Sequence, residues 1–223
     1  VTTDRPGEWT DLTRPFDADA EHSLALSDPR IETLSDVAGG GSNVQRVTFP
    51  THSGTHVDAP LHVLPGGATV DETPLSRLVT EGVVLGVDAE DPRPVDAGDV
   101  RGLDGLESGD AVLFSFGWAA HAGTDRYHRY PWLSTDLADR LLDRDVALVG
   151  MDTLSPDEPR GLRGDGDPYP VHRRLLGAGV PVLENLADPS ELVGERVELI
   201  CLPLRLRGGD GAPARVLART LGD

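Results

Sequence analysis

The 223-residue chain reads as a mixed α/β domain built on a layered or barrel-like sheet with few, short helices. Short runs rich in Val, Leu and Ile recur along it, each bounded by Gly, Pro or Asp. Only two or three segments carry helical spacing. The 26 glycines and 18 prolines divide the remainder into loops, which excludes a helical bundle.

In chain order, residues 1–43 form a loop-rich N-terminal arm of one domain spanning 1–223. Within the arm, 16–43 is the least patterned stretch. It reads as an arm over the site or over a partner subunit, or as an ordinary surface loop. Six runs are predicted as buried strands: Val44–Phe49, Gly82–Val87, Ala111–Phe116, Val146–Met151, Val180–Leu183 and Val197–Leu204. Residues 71–81 allow a short helix. Thr135–Asp145 is helical, with Leu137, Leu141 and Leu142 on one side and Ser134 or Thr135 as cap. Val171–Ala178 is helical after Pro170, which suits a first turn.

Charge narrows the function. There are 38 acidic against 20 basic residues, a net charge of −18, and every one of those basic residues is arginine. That acidity opposes non-specific binding to nucleic acid or anionic membranes. No apolar run approaches the roughly 20 residues of a membrane span. The first residues, VTTDRPGEWTDL, lack a basic segment followed by an apolar one, so a cytoplasmic protein is expected. The single cysteine, Cys201, lies in the apolar VELICLPLRL and reads as a small buried hydrophobe. No CxxC pair supports a thiolate zinc site.

The chemistry concentrates in THSGTHVDAPLH, residues 51–62, which holds three of the seven histidines. Imidazole and carboxylate are normal ligands for zinc and also suit manganese. His52, His56, Asp58 and His62 share a parity, but a straight strand fails on distance. Four extended residues span roughly 13 Å, whereas donors about 2.0–2.2 Å from one ion lie only about 3–3.5 Å apart. The chain must therefore bend around the ion. Gly54 permits the unusual angles and Pro60 fixes a turn. The cluster needs complementary ligands, and His172 with Glu184 are candidates. His172 sits in the first turn of its helix. Glu184 ends the apolar strand PVLE, where an unpaired buried charge would be costly.

A second concentration is aromatic: Trp118, Tyr127, His128, Tyr130 and Trp132 bring five rings into fifteen residues. Trp118, Tyr130 and Trp132 are candidates for a substrate-pocket wall; a dimer contact or a small satellite core is the other reading. No Gly-x-Ser-x-Gly supports a serine-hydrolase triad. The glycine-rich stretches Gly161–Asp167 and Gly208–Gly211 lack the context of a phosphate loop. The acidic stretch Asp157–Asp167 lacks calcium-loop spacing.

HSGTHVDAPLH resembles the HxGTHxDxPxH signature of the kynurenine formamidase-like cyclase family of metal-dependent hydrolases. It matches at His52, Gly54, Thr55, His56, Asp58, Pro60 and His62. GMDTLSPD (150–157), PVHRRLL (170–176), VLENL (182–186) and LPLRLRGGDGAPAR (202–215) resemble its later blocks in order and spacing. The resemblance implies a swivelling β/β/α-type fold, a homodimer or higher oligomer, and one or two divalent ions, zinc foremost and manganese as the other choice. It implies that His52, His56 and Asp58 bind the first ion. Asp58 would bridge to a second ion held by His172 and Glu184, with His62 off the metal as acid/base. The Trp-Pro-Gly segment carried by formamidases of this family before the signature is missing here.

The expected activity is hydrolysis of an amide, formamide, lactam or lactone of a small molecule, with an N-formylkynurenine-like arylformamide as one candidate. The alternatives are a metal-dependent cyclase or dehydratase and a non-catalytic metal-holding protein.

Overall fold

The computed structural model describes residues 8–222; the first seven residues of the expected arm lie outside the described residues. The strands are β1 Thr10–Asp11, β2 Arg30–Ser35, β3 Val44–Thr48, β4 His56–Asp58, β5 Val79–Val87, β6 Pro94–Val95, β7 Val100–Arg101, β8 Ala111–Ser115, β9 Trp132–Leu133, β10 Leu148–Met151, β11 Val182–Glu184, β12 Arg196–Pro203 and β13 Gly211–Thr220. The α-helices are α1 Leu75–Leu78, α2 Thr135–Leu142 and α3 Pro170–Gly177.

Seven strands form a closed ring in the order β13-β12-β5-β8-β10-β11-β4, because β13 also pairs with β4. The run β5-β8-β10-β11 is parallel and the other pairings in the ring are antiparallel. The expected mixed α/β architecture with a barrel-like sheet is therefore the observed one, and it is the swivelling β/β/α arrangement.

Alternation along the strands divides the apolar residues into two cores. Val57, Val84, Leu113, Leu148, Leu183, Leu199, Cys201 and Val216 come from all seven ring strands and fill the barrel interior. Val83, Leu85, Val112, Phe114, Val149, Met151 and Val182 face outward and are covered by α2 and α3 through Leu137, Leu141, Leu175 and Leu176. Leu141 is fully buried there, so its truncation to Ala costs about 2–5 kcal/mol. Cys201 is also fully buried, and burial pushes its thiol well above the ordinary range, as expected of an inert cysteine.

The helix signals act as anticipated. Ser134 Oγ accepts from the Leu137 N–H at 3.1 Å at the start of α2. Pro170 opens α3, and the Asp157 carboxylate accepts from the Val171 and His172 N–H groups at 2.8 and 3.1 Å.

One expectation needs correction, one is met in part, and one strand was not expected. Val44–Thr48 is a strand but not a buried one: among the described residues it pairs only with β2, and every residue of it is exposed. Residues 71–81 divide into a 3-10 turn (Val70–Glu72), the four-residue α1 and the start of β5. The ten-residue β13 escaped notice because ARVLAR is built from good helix formers. Its inward positions are Ala212, Ala214, Val216 and Ala218, all buried, where small residues fit a narrow barrel.

Candidate metal centre and substrate cavity

The chain does bend at the signature. Gly54 takes φ +61°, and a Cβ there would meet the Phe16 ring at 3.0 Å. The three residues of β4 then run between β11 and β13, with Glu184 opposite His56 on one side and Gly211 opposite Asp58 on the other. Val57 points into the barrel, so His56 and Asp58 point together out of it. Pro60 starts a 3-10 turn, Pro60–His62, that brings His62 back over the site.

All five candidate ligands converge. His52 Nδ1 lies 2.7 Å from Asp58 Oδ1, and His172 Nε2 lies 3.2 Å from Asp58 Oδ2. His56 Nε2 lies 3.3 Å from Asp58 Oδ1 and 3.2 Å from Glu184 Oε2. His172 Nε2 lies 3.2 Å from Glu184 Oε1. His56, Asp58, His172 and Glu184 are buried and His52 is nearly so. One atom each of His52, His56 and Asp58 falls within a sphere of contact suited to an ion, and so does one each of Asp58, His62 and His172.

The fit to a cation rests on unsatisfied atoms. His56 Nε2 and Glu184 Oε1 are buried and have no hydrogen-bond partner among the described residues, although oppositely charged groups lie close. Two such buried atoms, one imidazole nitrogen and one carboxylate oxygen within the same cluster, fit the donor set of a divalent ion.

Each imidazole is oriented from behind. His56 Nδ1–H donates to Gly54 O at 2.9 Å, and His172 Nδ1–H to Asp157 Oδ2 at 2.6 Å. His52 Nε2–H donates to Asp210 Oδ2 at 3.0 Å, while Thr51 Oγ1 donates to Asp210 Oδ1 at 2.8 Å. These bonds leave His52 Nδ1, His56 Nε2 and His172 Nε2 facing the centre. Gly211 makes the approach possible, since a Cβ there would meet His52 Cε1 and Val57 O, both at 2.8 Å.

Sequence reasoning passed over Asp157 and Asp210. Both stand in segments that were noticed, but their partners are 15 and 158 residues away, and no spacing rule reaches the second. Thr55 is a long-range clamp. Its hydroxyl donates to Asn185 O at 2.6 Å and accepts from the Arg14 N–H at 3.0 Å.

Charge follows geometry. Burial opposes a positive His52 and His56, but Asp58, aided by Asp210 and Glu184 respectively, outweighs it and raises them to about 9 and about 10. His172 is raised likewise, against burial, by Asp157, Asp58 and Glu184. Burial pushes Asp58 and Glu184 up, yet the surrounding imidazoles bring both below their ordinary values. His62 differs: burial lowers it, and Asp58 does not compensate.

The centre forms the floor of a cavity of about 600 Å³. Tyr130 and His128 line it, as do Leu24 and Leu26 from the 16–43 stretch. Trp118 and Trp132 do not line it. Two 3-10 turns, Trp118–His121 and Asp125–His128, rotate Trp118 and Tyr127 into the outer core. The Trp118 indole there donates to Tyr127 O at 3.2 Å. Trp132 packs at the edge of the same core, so both rings belong to the main outer core and not to a separate satellite core.

With this geometry in view, comparison with known proteins places the chain. The Cyclase family profile matches residues 10–158. Kynurenine formamidase of Salinibacter ruber is 37% identical over 183 residues, which cover 81% of this chain and 82% of that protein. The chain belongs to the cyclase/kynurenine formamidase-like family of metal-dependent hydrolases. Among solved structures, isatin hydrolase A from Labrenzia aggregata, bound to benzyl benzoate, superposes with a TM-score of 0.81 at 27% identity, covering 96% of this chain and 94% of that one. A potential metal-dependent hydrolase with cyclase activity superposes with a TM-score of 0.78 at 27% identity, covering 97% and 99%.

Proposed function

We propose that the protein hydrolyses the acyl C–N bond of a small arylformamide or cyclic aryl amide, with one or two divalent ions at the centre. The observation that carries this is the convergence of His52, His56, Asp58, His172 and Glu184 on the cavity floor, with two of their buried atoms unpartnered among the described residues. The S. ruber relative is a kynurenine formamidase and the L. aggregata structure an isatin hydrolase, so both known activities lie in this bond class.

In this reading His52, His56 and Asp58 would hold one ion, and His172 and Glu184, with Asp58 beside them, would hold a second. Zinc suits this donor set best, with manganese next. The bound ion supplies Lewis acidity, which polarises a carbonyl and lowers the pKa of water from about 15.7 toward 7.

His62 does the proton work. Its burial keeps the imidazole neutral at pH 7, as a base must be, and its ring centroid lies 3.9 Å from that of His52 and 5.4 Å from that of His172. The attacking water gives its proton to His62 as the new C–O bond forms. The C–N bond then breaks, and His62 returns the proton to the leaving nitrogen, yielding a carboxylic acid and an amine.

Leu24, Leu26, Tyr130 and Tyr169 give the cavity apolar and aromatic walls, while Arg129, Arg160 and Arg163 also line it. Three arginines in so acidic a chain favour a substrate with an anionic group away from the scissile bond, and so an N-formylkynurenine-like arylformamide with its amino-acid carboxylate over a neutral cyclic amide.

The expected homodimer contact falls to the β2–β3 hairpin. It exposes Ile31, Leu34, Val44 and Val47, and a lone two-stranded ribbon is marginal in water.

The test is turnover by chelated protein before and after addition of zinc or manganese, assayed on N-formylkynurenine, isatin and aryl lactones. Metal-dependent hydrolysis of the first two supports the reading. A protein that binds metal and hydrolyses none of them overturns the reading.

A further inference from the structure

Beside the centre, Asn185 combines two features that are unfavourable on their own. It follows Glu184 directly and adopts φ +59°, the left-handed region that, glycine apart, asparagine and aspartate enter most readily but still at some cost. It is also fully buried, yet its Nδ2 has no hydrogen-bond partner among the described residues. Buried amide donors are nearly always satisfied, so each exception calls for an occupant.

The surroundings fix this side chain closely. Its backbone N–H donates to Thr153 O at 3.0 Å, and its carbonyl accepts from Thr55 Oγ1 at 2.6 Å. Tyr127 Oη, itself buried, donates to Asn185 Oδ1 at 2.8 Å. Of the two acceptors within reach of this hydroxyl, Asn185 Oδ1 lies closer than Asp152 O at 3.3 Å, so the hydrogen goes to the amide oxygen and the NH2 faces away from Tyr127. Asn185 lines the same cavity as His52, His56, His62, His172 and Glu184. A strained backbone, three tertiary hydrogen bonds and one free donor together describe a preorganised group, and an observed outlier of this kind points to function.

We infer that Asn185 Nδ2 donates a hydrogen bond to the carbonyl oxygen of the scissile amide and stabilises the negative charge that develops there during attack. The inference rests on the proposed hydrolysis and adds a group to it. The ligand class is a carbonyl acceptor, because the free group is a donor and its neighbour Glu184 disfavours an anion in the resting state. Tyr127 is then a positioning residue that acts through Asn185.

Two variants test this with zinc-loaded protein and N-formylkynurenine and isatin as probes. Asn185→Gly tolerates the left-handed backbone and removes the donor. Asn185→Asp keeps an acceptor for Tyr127 and replaces the NH2 with oxygen. Both are expected to bind zinc in the parent's stoichiometry, measured by elemental analysis, and to lose on the order of 10²–10³-fold in kcat, with KM changed by less than about threefold. If Asn185→Gly does not fold, Asn185→Asp alone decides.

A folded, zinc-replete variant with kcat within threefold of the parent overturns the inference and leaves the hydrolase reading standing; a buried water then answers the Nδ2. A parent that binds zinc and hydrolyses neither probe overturns the hydrolase reading, and the inference with it.

Discussion

Replacing Asp210 tests whether the carboxylate behind His52 tunes the metal centre. Asp210 accepts from His52 Nε2–H at 3.0 Å and is itself held by Thr51 at 2.8 Å. Asp210→Ala removes that acceptor and frees the ring to rotate. Losing an orienting partner of this kind typically weakens metal binding 10–100-fold. Asp210→Asn keeps an acceptor but not its charge. A hydrogen bond to a charged group is worth about 1 kcal/mol more than a neutral one. The Asp210 side chain is 40% exposed, so solvent screens roughly half of that. The remainder, about 0.5 kcal/mol, corresponds to about a twofold weakening. The assay is competition for zinc against a chromophoric chelator, run on the parent and both variants. The expected order is parent, Asn, Ala. An affinity for Asp210→Ala within twofold of the parent refutes the orienting role. A loss beyond about a thousandfold refutes it the other way, because Asp210 would then be a ligand, as its proximity to His52 and His62 also allows.

His62→Ala should keep the parent's zinc content and lose at least about 10²-fold in kcat, the usual range for a removed acid/base; undiminished turnover would place His62 outside the chemistry. On the β2–β3 hairpin, Ile31 and Val47 are cross-strand partners on one face. The double variant Ile31→Glu/Val47→Glu should sediment as a monomer where the parent sediments as a dimer; a monomeric parent removes the hairpin's proposed partner.

The barrel was readable where burial on both faces left an unbroken apolar signature, as in the Gly82–Val87 part of β5, in Ala111–Ser115 and in Leu148–Met151. It was unreadable at β13, whose alanines answer to the barrel's width and not to strand propensity. The centre was legible because five donors sit in two segments and their chemistry is local: a bend at Gly54, a strand end at Glu184. What lies behind the donors was not. Asp210 reaches His52, and Tyr127 reaches Asn185 across 58 residues, only once the ring has closed. Aromatic content alone misled for Trp118, since rings suited to a pocket wall suit a core equally well, and only the 3-10 turns decide between them.

Closure of the barrel and formation of the centre are one event, because β4 is both the last ring strand and the carrier of His56 and Asp58. The pH dependence of stability should expose that link. In metal-free protein, protons stand where an ion would: His52 and His56 are raised to about 9 and about 10, by carboxylates that overcome burial. Their unfolded value is about 6.5. Their contribution is thus complete below about 6.5 and is lost as pH rises through 9 and 10. Asp58 and Glu184 are lowered, so theirs is present above about 4 and is lost on acidification. Metal-free protein should therefore be most stable near pH 5–6.5 and weaken steadily toward pH 10. An ion needs neutral imidazoles, so its affinity rises over the same window, and with it the stability it confers. The Tm gap between zinc-loaded and metal-free protein should widen from pH 6 to pH 9 in a thermal scan. A constant gap, or a metal-free Tm that rises with pH across that window, would show that barrel closure does not depend on the charge state of the centre.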